Sequence, residues 1–567
     1  MRREQYPVRR MLVVGLLMVA VQFMVIVQVF HLVFLREPIP VVAAVPTSTS
    51  DRLGHIADRK GQLLAFDVPV YDVVVERADI PDYVWVELAP WLESLGLTAD
   101  QAQILGENRR WLFPDVDPEV AQAVRRKQEA LFEEGYGYWL GVDRRWRRWY
   151  PHGSLAAHVL GFRNVEGVFS GGVQQVYADF LGQCQGLQPE NVAQRTIPGA
   201  GSPFLPSLQG CDLILTLDLG VQYTVEKILA EDAEAYAAEW GVALVMNPRD
   251  GQIWAAASWP TFDLNRYSGV TEETLLLNRI TGASYEPGSV VKPMTWAAAV
   301  DSGIVTETTP FEDVPVWEFG HISIRNADRL GHGVVTPPQV LAQSLNVPTA
   351  QVAVRMGPPR FYRYMQLFGF AQRTEIDVWP EVEGIMRRPG NPMWSFADLA
   401  TNSFGQGMQA TPVQLVRAMA VLANGGYLVT PHLLKGFIKD GVYYEVQWPK
   451  GRRVVTQQTA QVLTRWLVGA VEFLSTVARV PGVTVAGKTG TAETYEDNLV
   501  DVTFIGYFPA EAPQVLILVA FGRPKNDAFE ESPDQVWAAR TAYPTFVRMA
   551  QAVSPLLDVS IPQAEAR

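Results

Sequence analysis

Residues 285–295 read YEPGSVVKPMT, an apolar run holding one lysine, Lys292, three positions after Ser289. A half-buried ammonium is costly unless it is paired. Pro287–Gly288 breaks regular structure, and VVKPMTWAAAVDSG (290–303) then reads as a helix ending near Gly303. Pro293 lacks an amide hydrogen and is best tolerated in the first turn, where the amides have no intrahelical partner. The helix therefore starts close to Ser289. Residues three apart share a helical face, which puts Ser289 and Lys292 together at the positive end of the helix dipole. A neutral lysine there can take the serine proton and make the hydroxyl a nucleophile. Burial and a neighbouring cation both favour that neutral form. Alone the pair is weak evidence: serine-x-x-lysine arises on the order of once by chance in a chain of this size. The plain alternative is a lysine whose tip snorkels to solvent.

Two more stretches add to it. Thr336 followed by Pro337 and Pro338 looks like a helix start, with threonine as cap. That helix runs out in LAQSLNVPTA (341–350), near Ser344-Leu345-Asn346. Serine and asparagine suit helix ends because their side chains bond nearby backbone; the functional reading makes Ser344 a proton relay and Asn346 an amide clamp on substrate. In VTVAGKTGTAE (483–493) a strand precedes Gly487-Lys488-Thr489-Gly490-Thr491. Gly490 lets another backbone or a ligand come close. Lys488 beside Thr489 and Thr491 offers a cation and two hydroxyls, which suits a carboxylate; a surface turn with a solvated lysine is the alternative.

The chain has 567 residues, enough for two to four domains. Hydrophobic residues make up 48% and charged residues 19%, which fits a globular body with a membrane segment. The net charge of −13 disfavours a nucleic-acid binder, which shows a basic footprint. Two cysteines cannot make a four-cysteine zinc site, and the seven histidines show no ligand spacing.

Met11 to Leu35 contains no Asp, Glu, Lys or Arg. At about 1.5 Å per residue it is ample for a bilayer core of roughly 30 Å. Arg2, Arg3, Arg9 and Arg10 precede it and only Arg36 directly follows. The positive-inside rule puts residues 1–10 in the cytoplasm and everything after Leu35 outside, as a single-pass inner-membrane protein. A cleaved signal peptide is the alternative, but the run is too long for a usual signal core.

Residues 36–210 mix strands, turns and helices: GQLLAFDVPVYDVVVE (61–76) alternates as strands do, and DPEVAQAVRRKQEALFEEG (117–135) reads as a helix. QPENVAQRTIPGAGSPFLPSLQG (188–210) is a loop bracketed by Cys184 and Cys211. Outside the cytoplasm the two cysteines can form a disulfide that closes this excursion, which is the expectation; two free buried thiols are the alternative. From 211 to about 555 strands and helices alternate as a sheet with helices packed on it, followed by a tail, 556–567.

The order SVVK (289–292), SLN (344–346) and KTG (488–490) is far more specific than any one piece, and the same three elements occur in penicillin-binding proteins and class A β-lactamases. The chain resembles class B penicillin-binding proteins, the membrane-anchored transpeptidases that crosslink peptidoglycan. The resemblance runs from Met11 to about Ser554. It extends to RLGHIADRKGQLLA (52–65), RRWYPHGSLAAHVLGF (147–162), LTLDLGVQYTVE (215–226), SFGQGMQATPVQL (403–415) and LANGGYLVTP (422–431).

The resemblance implies an α+β fold: a transmembrane helix (11–35), an elongated mixed α/β pedestal of the dimerisation type (36–210), and a β-lactamase-like transpeptidase domain (211–555) with an antiparallel sheet flanked by helices. It implies that Ser289 attacks a D-Ala–D-Ala stem peptide with Lys292 as general base. Ser344 and Lys488 pass a proton toward the leaving D-alanine, and Asn346 orients the peptide amide. Thr489, Gly490 and Thr491 bind the terminal carboxylate side, and the amides of Ser289 and Thr491 form an oxyanion hole. No metal or organic cofactor is implied. Implied partners are lipid-linked peptidoglycan precursor with its stem peptides, β-lactams, and a polytopic glycosyltransferase of the SEDS type (FtsW- or RodA-like) met through the span and pedestal.

Asn346, where elongation-type relatives often carry aspartate, and the compact N-terminal module lean toward the division or FtsI-like branch. Gln174 stands where the family usually has glutamate, which implies loss of a charged pedestal contact. Water in place of the acceptor amine makes a DD-carboxypeptidase or endopeptidase. A non-catalytic β-lactam or peptide sensor is the other class of reading, and the intact Ser289, Lys292 and Lys488 argue against it.

Overall fold

The alternating stretch within 61–76 forms β2 (Leu63–Val75), the backbone of the N-terminal half. β2 pairs antiparallel with β5 (Leu140–Trp149) from Phe66↔Trp149 to Val75↔Leu140, and with β4 (Arg110–Val116), itself paired to β3 (Gln103–Leu105). Helices α1 (Asp82–Ser94) and α2 (Pro118–Glu133) bury Leu88, Leu92, Val124 and Leu131 against Val73 and Val75. This computed structural model describes residues 52–105, 110–136, 139–164, 166–185, 192–194, 210–474, 479–493, 500–525, 537–557 and 559. The apolar run 11–35 and the tail 1–10 lie outside them. Among the described residues no helix is long and apolar enough to cross a membrane.

The N-terminal strands do not stop at residue 210. β1 (Ile56–Ala57) pairs antiparallel with β2 and parallel with β7 (Asp212–Leu215), the strand that follows Cys211. β7 in turn pairs with β12 (Leu434–Lys439), then β13 (Val442–Val446), then β6 (Val192–Gln194). Among the described residues this makes one nine-stranded sheet drawn from both halves of the chain. Cys184 and Cys211 are disulfide-bonded, with Cα atoms 5.1 Å apart, beside the entry to β7.

Gln174, on α3 (Gly172–Val176) just ahead of α4 (Ala178–Gln183), is fully buried. Its Oε1 accepts from Arg148 Nε at 2.9 Å, and its Nε2 donates to the Gly161 carbonyl at 2.7 Å and the Leu160 carbonyl at 3.2 Å. Arg148 keeps a carboxylate partner in buried Asp67 at 3.0 Å. The expected loss of a charged contact is therefore made good within the same cluster. The amide also serves two carbonyls that a carboxylate, an acceptor only, cannot.

The second sheet is antiparallel throughout, in the order β9 (Ile253–Trp259), β8 (Trp240–Met246), β16 (Val515–Gly522), β15 (Val500–Phe508), β14 (Ala486–Glu493). Side chains alternate across a strand. Ala243 and Val245 enter the core beneath α5 (Leu219–Ala235) and α11 (Ala542–Val553), while Val242, Leu244 and Met246 enter the core under α9 (Pro412–Ala423) and α10 (Gln457–Leu474). Both faces are covered, which explains why GVALVM is apolar at every position. β14, which carries the lysine-threonine-glycine element, is an edge strand among the described residues.

Candidate active site

Ser289 sits in a 3-10 turn, Gly288–Val291, that feeds α6 (Lys292–Asp301). The helix opens close to Ser289, as its sequence implies: the α-helix proper starts at Lys292 with Pro293 in its first turn, and the tighter turn before it carries the serine. Gly288 has φ +58°, and a Cβ there would stand 3.0 Å from the Thr491 carbonyl oxygen. Gly490 sits equally close on the other side: its Cβ would lie 2.7 Å from the Pro287 carbonyl and 2.9 Å from Val290 Cγ1. The two glycines let the serine turn and the edge strand meet backbone to backbone. Gly405 completes the clasp. Its carbonyl accepts from the Gly288 amide at 3.0 Å, and any Cβ there would overlap the Gly288 carbonyl. SFGQG entered the sequence reading only as a matching stretch; its backbone role had no signal beyond the glycine itself.

The middle element arrives between two helices. α7 (Pro337–Gln343) is capped by Thr336, whose amide donates to Gln339 Oε1 at 2.8 Å. It ends at Ser344, held in the left-handed region at φ +58°, a conformation uncommon for a residue with a side chain and typical of functional turns. α8 (Val347–Met356) begins after Asn346.

Lys292 is fully buried. Its Nζ donates to the Ser344 carbonyl, and lies 2.7 Å from Asn346 Oδ1 and 3.3 Å from Ser344 Oγ. Burial, then the charge of Lys488, hold its pKa well below the ordinary lysine value, with Asp313 opposing. Lys488, also buried, places Nζ 2.9 Å from Ser344 Oγ, 3.1 Å from the Thr489 carbonyl and 3.3 Å from Thr489 Oγ1. Burial pulls its pKa down to about 7. The Ser344 hydroxyl thus stands between two buried lysines, neither of which is strongly basic.

A neutral amine has two N–H donors and one lone pair. The Ser344 carbonyl and Asn346 Oδ1 take the donors, which leaves the lone pair of Lys292 for a hydroxyl. None of its donors goes to half-buried Ser289, and a base needs none there. Asn346 is occupied at both ends, since its Nδ2 donates to the Arg325 carbonyl at 2.9 Å. That holds Lys292 and leaves one Nδ2 hydrogen for a substrate carbonyl. Thr489 and Thr491 are half-buried; Thr489 Oγ1 lies within reach of Lys488 Nζ, and Thr491 Oγ1 accepts from the Ala538 amide at 3.4 Å. Lys292, Ser344, Asn346 and Lys488 are therefore gathered into one hydrogen-bonded cluster from helix start, interhelical turn and sheet strand, while Ser289 lies in the 3-10 turn that leads into Lys292 and Thr491 bonds Ala538 instead. Glu286 was not read from sequence; its Oε1 accepts from the Gly407 amide at 3.0 Å beside the clasp.

Residues 241–541 match the penicillin binding protein transpeptidase domain and residues 48–166 the penicillin-binding protein dimerisation domain. Stage V sporulation protein D of Bacillus subtilis is 30% identical over 491 residues, 83% of this chain and 74% of that protein. The probable peptidoglycan D,D-transpeptidase FtsI of Caulobacter vibrioides is 27% identical over 89% of this chain and 81% of its own. Among solved structures, penicillin-binding protein 3 of Mycobacterium tuberculosis, complexed with aztreonam, has the same fold: TM-score 0.67 at 24% identity, over 90% of this chain and 97% of that one. Motifs, fold and relatives agree, and the chain is a class B penicillin-binding protein with a peptidoglycan D,D-transpeptidase domain.

Proposed function

We propose that the protein crosslinks stem peptides through an acyl-enzyme on Ser289, in septal wall synthesis. The observation that carries this is the Ser344 hydroxyl held between buried Lys292 and Lys488. In this reading neutral Lys292 takes the Ser289 proton as Oγ attacks the penultimate D-alanine carbonyl. The proton passes by way of Ser344 to the departing D-alanine nitrogen, with Lys488 as donor on the far side. Among the described residues β14 lies at a sheet edge, along which an extended peptide can lie. Thr489 and Thr491 receive its carboxylate, and the Ser289 and Thr491 amides stabilise the oxyanion. An acceptor amine then displaces Ser289.

The same reading makes β-lactams covalent inhibitors. It keeps 11–35 as a single span with 1–10 in the cytoplasm, 36–210 as pedestal, 211–555 as the catalytic domain and 556–567 as a tail. It also pairs the protein with a SEDS-type glycan polymerase through span and pedestal. The test is Ser289→Ala: fluorescent penicillin labels the wild type at Ser289 and leaves the variant unlabelled. Label on another residue of the variant removes Ser289 from the mechanism.

A further inference from the structure

The three oxygens around Lys292 Nζ all lie in the turn 344–346, so whatever fixes that turn fixes the base. Two amides at its exit, Asn346 N and Val347 N, open α8 and have no intrahelical partner. Both donate to one atom outside the turn, Asn326 Oδ1, at 2.8 and 3.3 Å. Asn326 is buried. An asparagine amide has two orientations, and here its surroundings choose one. Nδ2 donates to both oxygens of Asp313, at 3.0 and 2.8 Å, and to the Leu330 carbonyl at 3.0 Å. A carboxylate accepts only, so Oδ1 must face the turn.

Asp313 closes β10 (Phe311–Asp313), which pairs with β11 (Gly333–Val335) through Asp313↔Gly333. That pairing sets His332 beside it. The His332 amide and Nδ1 lie 3.0 and 2.7 Å from Asp313 Oδ2, and Nε2 lies 3.1 Å from Asp328 Oδ2. Asp313 is buried with every oxygen engaged, and His332 is the member that reaches solvent.

We propose that Asp313 and Asn326, backed by His332, form a positioning device for Lys292, setting the turn that holds the base from outside the active-site motifs. The inference rests on Lys292 being the general base. The device has a cost. The charged groups acting on the Lys292 ammonium are Lys488 on β14, which favours loss of the proton, and Asp313 on β10, which favours keeping it. Asp313 therefore places the turn while opposing the neutral base, and the two effects separate by experiment.

The experiment measures acylation of the full-length protein by fluorescent penicillin, resolved into a binding constant and a rate constant, across pH. Asp313→Asn sets an amide donor against one of the donors that the carboxylate accepted. Acylation slows about tenfold or more, since even a small misplacement of a catalytic group is costly, while the binding constant holds. The acidic limb of the rate profile moves to lower pH, because the charge opposing proton loss is gone. The exchange, Asp313→Asn with Asn326→Asp, restores donor facing acceptor between the two positions and returns a carboxylate to the cluster. It regains rate and moves the limb back. A mere loss of stability shifts neither limb nor its recovery; if Asp313→Asn does not fold at assay temperature, the exchange is the deciding variant. An unchanged rate and limb, or an exchange no better than the single substitution, overturns the positioning role. Wild type left unlabelled at Ser289 overturns the acyl-enzyme reading, and this inference with it.

Discussion

The Pro287 carbonyl oxygen lies 2.7 Å from the point where a Cβ on Gly490 would stand, so the serine turn and the lysine-threonine-glycine strand meet with no room for a side chain at residue 490. Both sides are backbone or packed Val290, so an added methyl must push them apart. Gly490→Ala should move Ser289 away from β14. A misplacement of about 1 Å costs on the order of 10²-fold in rate, while overpacking of one methyl costs about 1–3 kcal/mol in stability. Acylation kinetics with a fluorescent penicillin, alongside a thermal melt, should show a large kinetic loss in a protein that still folds.

The two lysines set the pH response. Lys292 must be neutral to act, and its lowered pKa opens the reaction below the usual lysine range. Burial pulls the Lys488 pKa down to about 7, and above that it loses the charge that faces Ser344 and the carboxylate. Acylation should rise with pH through the Lys292 limb and fall through an alkaline limb near 7. Arginine stays charged, so Lys488→Arg should be slower overall but lack the alkaline limb. A limb that stays in place assigns it to another group.

Cys184 and Cys211 are 27 residues apart in sequence. Closing a loop of that length removes about 3.5 kcal/mol of unfolded-state entropy in the chain-entropy model. Cys184→Ser with Cys211→Ser should lower stability by about that amount, read as a shift in the denaturant midpoint. Cys211 is fully buried, so the double variant also loses its packing.

Asp377 joins three separate elements: its carboxylate accepts from the Leu433 and Leu434 amides, each at 2.7 Å, and from the Tyr177 hydroxyl at 2.9 Å. Asp377→Ala leaves all three donors buried and unserved. A loss of about 2–4 kcal/mol is expected, measured by denaturant unfolding. Asp377→Asn, which keeps part of the acceptor set, should lose less.

How far the sequence could be read depends on whether a signal is local. The serine-x-x-lysine helix announces itself by Pro293, and α7 by Thr336 and its two prolines; a glycine inside a strand flags a close approach at Gly490. These are rules about neighbours in the chain. The partner of Gly490 is not local: nothing near residue 490 names Pro287, and nothing near Gly405 names Gly288. Asp313 and Asn326 were missed for the same reason, since an aspartate and an asparagine in short strands and turns read as ordinary surface residues. The strand after Cys211 was legible as a strand, but its partners, Ile56–Ala57 on one side and Leu434–Lys439 on the other, are set by topology.

That last arrangement has a consequence for modularity. A fragment excised to begin at residue 211 would keep β7 but strip away β1, exposing a raw edge of hydrogen-bonding groups beside β12, and such edges recruit other chains. The N-terminal half, released alone, would be left with the matching bare edge. The two halves are stitched by a shared ribbon rather than joined by a tether, so neither keeps its strand partners without the other.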